Sequence, residues 1–181
     1  MKASAPKTLS RFEQLMLPHL DAAYNLARWL LHGQHDAEDA VQDAMLRAHQ
    51  AFERFRGDDA KPWLLCIVRN VCYSRLRELR RASGSEIFDE EAHGSNEDLA
   101  AQKELEWTET KSGLLAQAME KLPAEFREVI VLHELEGLGY REIASVAEMP
   151  IGTVMSRLAR ARQKLRHEVQ ALIAKNPSHG L

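Results

Sequence analysis

The chain has 181 residues, of which 45% are hydrophobic, and its formal net charge at pH 7 is only −3. This length allows one medium domain or two small ones with a packed core. No segment approaches the roughly 18 apolar residues of a membrane span, and the N-terminal residues lack the apolar core of a signal peptide. We therefore expect a folded cytoplasmic protein that does not insert directly into a membrane.

Charge is unevenly distributed along the chain. Residues 1–81 carry 13 basic and 10 acidic side chains, residues 82–112 carry 2 and 9, and residues 113–181 carry 9 and 8. The corresponding net charges are +3, −7 and +1. Local patches rather than total charge determine affinity for nucleic acids, so both ends remain compatible with DNA binding. The acidic middle predicts a solvated linker that is partly helical towards Trp107.

Helical periodicity dominates the N-terminal part, where strand patterns are nearly absent. Ser10 fits a capping box that opens the first helix, and Pro18 should kink this helix or delay its start. Asp36 should cap a second helix that runs to about Arg54. A long third helix should begin at Lys61–Trp63, because proline suits the first helical turn. The second half of this helix is basic.

The segment Tyr140–Arg166 has the layout of a helix-turn-helix. A short helix over Tyr140–Val146 precedes a tight break at Glu148–Pro150, and a second helix follows. In this motif the second helix lies in the DNA major groove. Four apolar residues on it recur at spacings of four, three and four and form one stripe: Val154, Leu158, Ala161 and Leu165.

An ordinary amphipathic surface helix is the alternative interpretation of this segment. Three features argue against that alternative. The break is short, five basic residues lie within ten positions without an acid between them, and the preceding helix Glu125–Glu136 carries apolar residues that could support the motif. Together with the acidic linker, these patterns predict an all-α chain of two small helical domains.

Little in the sequence suggests catalysis or metal binding. Cys66 and Cys72 are six residues apart on a predicted helix and face different sides, so we expect free thiols rather than a disulfide or a zinc site. The eight histidines form no metal-binding spacing. No glycine-rich phosphate loop or nucleophile motif occurs. We therefore expect no catalytic residues, no metal and no cofactor.

Three motifs, in order, resemble the extracytoplasmic-function group of bacterial sigma factors, the small two-domain members of the sigma-70 family. They are Asp36–Asp43 (DAEDAVQD), Phe55–Gly57 followed by Pro62–Asn70 (PWLLCIVRN), and Pro150–Arg157 (PIGTVMSR). The resemblance covers roughly residues 10–168. It implies a region 2 domain over residues 1–82, an acidic linker over 83–112 and a region 4 domain over 113–181.

The resemblance also implies roles for individual residues. Contact with the clamp helices of the beta-prime subunit of core RNA polymerase is implied for Asp39, Gln42, Asp43 and Arg47. Binding and opening of the promoter −10 element is implied for Arg56, Lys61, Trp63, Arg69, Asn70, Ser74 and Arg77. Binding of the −35 element is implied for Arg141, Thr153, Met155, Ser156, Arg157, Arg160 and Lys164. Met155 departs from the basic residue that many relatives have, which suggests an apolar contact to thymine methyl groups.

The partners implied are core RNA polymerase, through the beta-prime clamp helices and the beta flap, together with promoter DNA and an anti-sigma factor. Such a factor could hold the chain at the membrane. The acidic linker could follow the RNA path of the polymerase, although a plain tether fits nearly as well. A free-standing regulator is less favoured, because the N-terminal half shows no effector pocket. A sigma mimic is less favoured because both basic helices are intact.

Overall fold

The computed structural model describes residues 10–57, 59–82 and 111–175. All regular structure within these ranges is helical, which confirms the predicted all-α fold. Most of the acidic linker and the tail after residue 175 lie outside the described residues.

The described residues of the N-terminal domain form four α-helices. They are α1 (Arg11–Met16), α2 (Leu20–Leu31), α3 (Gln34–Ala51) and α4 (Ala60–Ala82), with single 3-10 turns at Leu17–His19 and Phe52–Arg54. Helices α2, α3 and α4 pack against one another as a bundle. This packing leaves one side of α4 free to contact the C-terminal domain.

The capping signals in this domain were predicted well, with one exception. Ser10 Oγ accepts a hydrogen bond from the Glu13 main-chain N–H, and the Glu13 carboxylate accepts one from the Ser10 main-chain N–H, as the capping box requires. Pro18 lies in the break between α1 and α2, as predicted. The prediction that Asp36 caps α3 is wrong. Gly33 holds the capping position in an extended conformation, and Asp36 lies in the first turn.

In the C-terminal domain, the described residues 111–175 also form four α-helices. They are α5 (Lys111–Glu120), α6 (Ala124–Ile130), α7 (Tyr140–Val146) and α8 (Ile151–Lys175). The helix predicted over Glu125–Glu136 is present as α6 followed by a wide π-helical turn at Val131–Leu135. The Glu136 N–H donates to the Val131 carbonyl at 2.9 Å, five residues back, which is the hydrogen-bond pattern of a π-turn.

A continuous apolar core joins the two domains. Residues from both belong to the same buried cluster, including Leu26, Leu64 and Val68 from the first domain and Val129, Leu132, Ile143, Val154 and Leu158 from the second. Helix α7 packs against α4, and α6 packs against α2. The C-terminal domain therefore rests on the N-terminal bundle, and this arrangement determines which polar side chains meet.

Leu158 provides a test of the apolar stripe of α8. Its side chain is 1% exposed, whereas Met155 on the same helix is 53% exposed. Truncating a buried leucine removes apolar contacts and leaves a cavity, so Leu158→Ala should lower the free energy of unfolding by about 2–5 kcal/mol. Met155→Ala should change it by less than about 0.5 kcal/mol. Urea titration monitored by circular dichroism measures both, and equal effects would contradict the assignment of the stripe.

Candidate nucleic-acid interface

The helix-turn-helix is built from α7 and α8 as the sequence predicted. Between the helices, Glu148 has a left-handed backbone conformation (φ 52°), which allows the abrupt turn. Helix α8 then starts from Pro150, whose carbonyl accepts hydrogen bonds from the N–H groups of Thr153 (2.9 Å) and Val154 (3.1 Å). Val154 and Leu158 are buried, so the opposite side of α8 faces solvent.

The exposed side of α8 forms a groove with the start of α6, which we call the α8 groove. Five of the predicted −35 residues line it: Thr153, Ser156, Arg157, Arg160 and Lys164. The other two, Arg141 and Met155, are exposed outside this groove. Its remaining wall consists of Pro123, Glu125 and Phe126, which sequence reasoning did not identify. Three basic side chains therefore converge on one concave surface.

A second basic groove lies along α4, and we call it the α4 groove. Four of the predicted −10 residues line it: Arg69, Asn70, Ser74 and Arg77. Its volume is about 480 Å³, within the range of roughly 300–1,000 Å³ typical of small-ligand pockets. Arg47, Tyr73 and Glu148 complete the lining. Glu148 comes from the C-terminal domain, so this groove is shared between the domains.

The three remaining −10 candidates lie outside the α4 groove. Trp63 is half-buried, and its ring centroid is 4.8 Å from that of Phe55, so it is partly a packing residue. Arg56 is exposed in the loop before α4. Lys61 is directed towards the C-terminal domain, as described below.

Glu128 is one of two buried charged residues in the described part of the chain, the other being Arg127. Glu128 belongs to α6 and its side chain is 0% exposed. Its carboxylate accepts hydrogen bonds from Arg69 Nε and, at 3.0 Å, from Tyr73 Oη. The Arg69 guanidinium also lies 4.6 Å from the Tyr73 ring centroid. We call this group of three side chains the Glu128 junction.

Burial and neighbouring charges shift the pKa values of Glu128 and Tyr73 at this junction. Burial raises the pKa of the Glu128 carboxyl, and the nearby Arg69 cation opposes that rise. Burial and the adjacent Glu128 charge both raise the pKa of the Tyr73 hydroxyl, which therefore remains a hydrogen-bond donor at neutral pH. A buried carboxylate without a cation would be costly, so this arrangement depends on Arg69.

A second carboxylate of the C-terminal domain contacts the N-terminal domain nearby. Glu136 accepts a hydrogen bond from Asn25 Nδ2 at 2.7 Å and forms an ion pair with Lys61 Nζ at 3.0 Å. Lys61 Nζ also donates to the Glu136 main-chain carbonyl at 2.7 Å. We call these three residues the Glu136 junction. Two cations predicted to hold DNA are thus paired with carboxylates of the other domain.

The predicted polymerase-binding residues lie on α3. Asp39, Gln42 and Arg47 are exposed, whereas Asp43 forms an ion pair with Arg75 of α4 at 2.6 Å. Leu46 lies among them and is 64% exposed, although sequence reasoning did not identify it. Its position, four residues after Gln42 and three after Asp43, is the signal that could have placed it on this face.

Other kinds of site have no counterpart in the residues that the structure describes. No group of three or more His, Cys, Asp or Glu side chains there could hold a metal ion. No helix in the described ranges is long and apolar enough to cross a membrane. Cys66 and Cys72 are both free thiols, as predicted.

Comparisons with known proteins identify two segments of the chain that match family models. The family model "Sigma-70 region 2" matches residues 15–82, and "Sigma-70, region 4" matches residues 112–165. The chain is 36% identical over 145 residues to the ECF RNA polymerase sigma-E factor of Escherichia coli (strain K12), covering 76% of each chain. It is 32% identical over 170 residues to the RNA polymerase sigma-H factor of Pseudomonas aeruginosa, covering 90% of this chain and 88% of that one.

The fold also has a close structural counterpart. The sigma factor RpoE from Bartonella quintana, in complex with the anti-sigma factor NepR, superimposes with a TM-score of 0.70 and 29% identity. The match covers 90% of this chain and 98% of that one. The chain therefore belongs to the sigma-70 family of RNA polymerase sigma factors, in its extracytoplasmic-function group.

The two thiols provide a test of the α4 environment. Burial raises the pKa of the Cys72 thiol to about 12, and its side chain is 0% exposed. Cys66 is partly exposed and its pKa is also raised by burial. Reactivity requires an accessible thiolate. Titration with a thiol reagent at pH 8 should therefore modify Cys66 slowly and Cys72 only after unfolding. Comparison of Cys66→Ser with Cys72→Ala assigns the signal, and fast labelling of native Cys72 would contradict the packing.

Proposed function

We propose that this chain binds core RNA polymerase, recognises the promoter −35 and −10 elements, and promotes strand opening, while the polymerase carries out RNA synthesis. The observation that carries the proposal is the pair of basic grooves, one on α8 and one on α4, within the two segments that match sigma regions 4 and 2. We further propose the domain division 1–82, 83–112 and 113–181. No catalytic residue, metal or cofactor of its own is required for this role.

The α8 groove is suited to duplex DNA. Arg157, Arg160 and Lys164 provide positive charge, and an arginine that binds a guanine edge through two hydrogen bonds contributes roughly 1–3 kcal/mol of discrimination. Ser156 Oγ donates to the Thr153 carbonyl at 3.1 Å, which leaves its lone pairs free to accept. Met155 would add an apolar contact to a thymine methyl group. Arg141 would contact a flanking phosphate.

The α4 groove is suited to a base that has left the double helix. Asn70 is exposed, and its amide can both donate to and accept from the Watson–Crick edge of a base. Arg69 Nη1 donates to Asn70 Oδ1 at 3.3 Å and orients the amide. Ser74 and Arg77 lie one turn or more further along the same groove. Arg56, Lys61 and Trp63 would extend the contact surface towards the start of α4.

The exposed face of α3 would contact the clamp helices of the beta-prime subunit. Asp39, Gln42 and Arg47 offer polar groups to that partner, and Leu46 adds an apolar contact at the centre of the face. Asp43 also pairs with Arg75, so its role would be partly internal. The beta flap would bind the C-terminal domain.

Regulation by an anti-sigma factor is part of the proposal. It is supported by the Bartonella quintana relative, whose structure contains one. We propose that the chain acts in the cytoplasm in a stress or envelope response, and that an anti-sigma factor could hold it at the membrane.

Run-off transcription tests the proposal directly. Purified chain is combined with bacterial core polymerase and a library of genomic fragments from its own organism. Discrete transcripts that require the chain would support the proposal and would reveal the promoters. DNA binding by the chain alone, without any chain-dependent transcript, would favour a free-standing regulator instead.

Asn70→Ala should impair strand opening specifically. Loss of roughly 1–3 kcal/mol of base recognition predicts a reduction of about 5- to 150-fold in open complexes, with unchanged affinity for core polymerase. Permanganate footprinting at a promoter found by the run-off experiment measures opening. Glu78→Gln, an exposed change on the same helix, is the control. Normal opening by Asn70→Ala would remove this residue from the site.

Gln42→Ala combined with Leu46→Ala should weaken binding to core polymerase. Truncation of two residues near the centre of an interface predicts a loss of roughly 1–3 kcal/mol, or about 5- to 150-fold in affinity. Fluorescence anisotropy of the labelled chain measures it, with the exposed Gln170→Ala on α8 as the control. Unchanged affinity of the double variant would show that polymerase binds elsewhere.

A further inference from the structure

Arg75 is a basic residue of α4 whose side chain lies against α3. Two other arginines of this helix, Arg69 and Arg77, line the α4 groove, whereas the Arg75 guanidinium reaches across to α3. Its Nη2 donates to Asp43 Oδ2 at 2.6 Å, and its Nη1 donates to the main-chain carbonyl of Asp36 at 3.3 Å. Arg75 therefore joins α4 to α3 within the N-terminal domain.

The two acceptors of Arg75 lie on one face of α3. Asp36 and Asp43 are separated by close to two full turns of an α-helix, or about 10 Å along its axis. Side chains on a helix lean towards its N-terminus, so the Asp43 carboxylate is directed back towards Asp36. One guanidinium can bind both acceptors because its donors form a planar fork. This contact fixes the direction of the Asp43 side chain relative to α4.

Asp43 keeps an accessible side while it is bound to Arg75. Its side chain is 48% exposed, whereas that of Arg75 is 25% exposed. The exposed Gln42 and Leu46 are its neighbours on α3. Oδ2 accepts the bond from Arg75, and an ionised carboxylate has about four positions that accept hydrogen bonds. Asp43 can therefore bind a donor on another protein without releasing Arg75.

The positive charge of Arg75 is compensated within the N-terminal domain. A DNA phosphate would have to displace the Asp43 carboxylate, because both anions use the same donors. Arg77, two positions further along α4, is exposed, and its Nη2 donates to the neutral Ser74 hydroxyl at 3.2 Å. The two arginines therefore differ in which partner they can serve.

We infer that Arg75 is a positioning residue for polymerase binding, which holds the Asp43 carboxylate ready for the clamp helices of the beta-prime subunit and does not bind DNA. This inference rests on the proposed function, which places Asp43 at that interface. It adds that α4, the helix of the −10 site, supports the polymerase-binding face of α3. A side chain held in place before binding loses less entropy when the interface forms.

A double-mutant cycle with the full chain tests the inference. The labelled variants Arg75→Ala, Asp43→Asn and their combination are titrated with core polymerase, and fluorescence anisotropy gives the affinity. Arg75→Ala should weaken binding by about 2- to 13-fold, the cost of immobilising one further side chain at an interface. The double variant should bind no more weakly than Asp43→Asn, because Arg75 acts through that carboxylate.

Three further variants separate positioning from stability and from charge. Arg75→Lys keeps the charge but lacks the planar fork, so its affinity should lie between those of the original chain and Arg75→Ala. Cys72→Ala removes buried packing on the same helix and keeps the ion pair. Arg81→Ala removes an exposed positive charge near the end of α4. Neither control should change polymerase affinity under conditions in which circular dichroism shows every variant to be folded.

The salt dependence of promoter binding tests whether Arg75 contacts DNA. Holoenzyme formed at saturating core polymerase is titrated with promoter DNA at several salt concentrations. Each phosphate contact contributes about 0.7–0.9 to the slope of log affinity against log salt concentration. Arg77→Ala should reduce the slope by that amount, whereas Arg75→Ala should leave it unchanged. A reduced slope for Arg75→Ala would overturn the inference.

The outcomes of the cycle separate this inference from the proposed function. Failure of the original chain to bind core polymerase would overturn the proposed function and the inference with it. Binding by the original chain and by Arg75→Ala with equal affinity would overturn the inference alone. Losses that multiply in the double variant would do the same, because Arg75 would then act independently of Asp43. Tighter binding by Arg75→Ala would also overturn it, since Arg75 would then compete with polymerase for the carboxylate.

Discussion

The structure depends on the pairing of one buried carboxylate, Glu128, with a cation from the other domain. A carboxylate that loses contact with water is stable only if a cation and hydrogen-bond donors replace that water. Arg69 and Tyr73 supply both, and they are brought to α6 by the packing of the C-terminal domain on α4. The same packing places Glu136 beside Lys61. The packing of the two domains therefore determines which charged side chains of α4 are already paired.

The packing of the two domains against each other affects the two grooves differently. The α8 groove is formed within one domain, on the solvent side of a helix whose other side is anchored by Val154 and Leu158. The α4 groove includes Glu148 from the turn of the helix-turn-helix, and one of its arginines is held by Glu128. The contact between the domains therefore contributes to the lining of the α4 groove and not to that of the α8 groove.

Much of the fold could be predicted from local sequence. The helix-turn-helix, the apolar stripe of α8 and the capping box at Ser10 follow from side-chain spacing and capping chemistry, which involve neighbours in sequence. The role of Gly33 at α3 was missed because Asp36 offered a stronger capping signal. The pairing of Arg69 with Glu128 joins residues 59 positions apart. No pattern in either helix indicates it, because it arises only when the domains pack.

Binding of the two promoter elements by the two basic grooves is the central claim, and a footprint tests it most directly. Core polymerase carrying the chain would be bound to a promoter and probed with hydroxyl radicals, and the original chain would be compared with Arg160→Ala and Arg77→Ala, two changes at exposed positions. The account predicts that Arg160→Ala loses protection at the −35 element alone and that Arg77→Ala loses it at the −10 element alone. Loss of protection at the same element in both variants, or in neither variant, would contradict it.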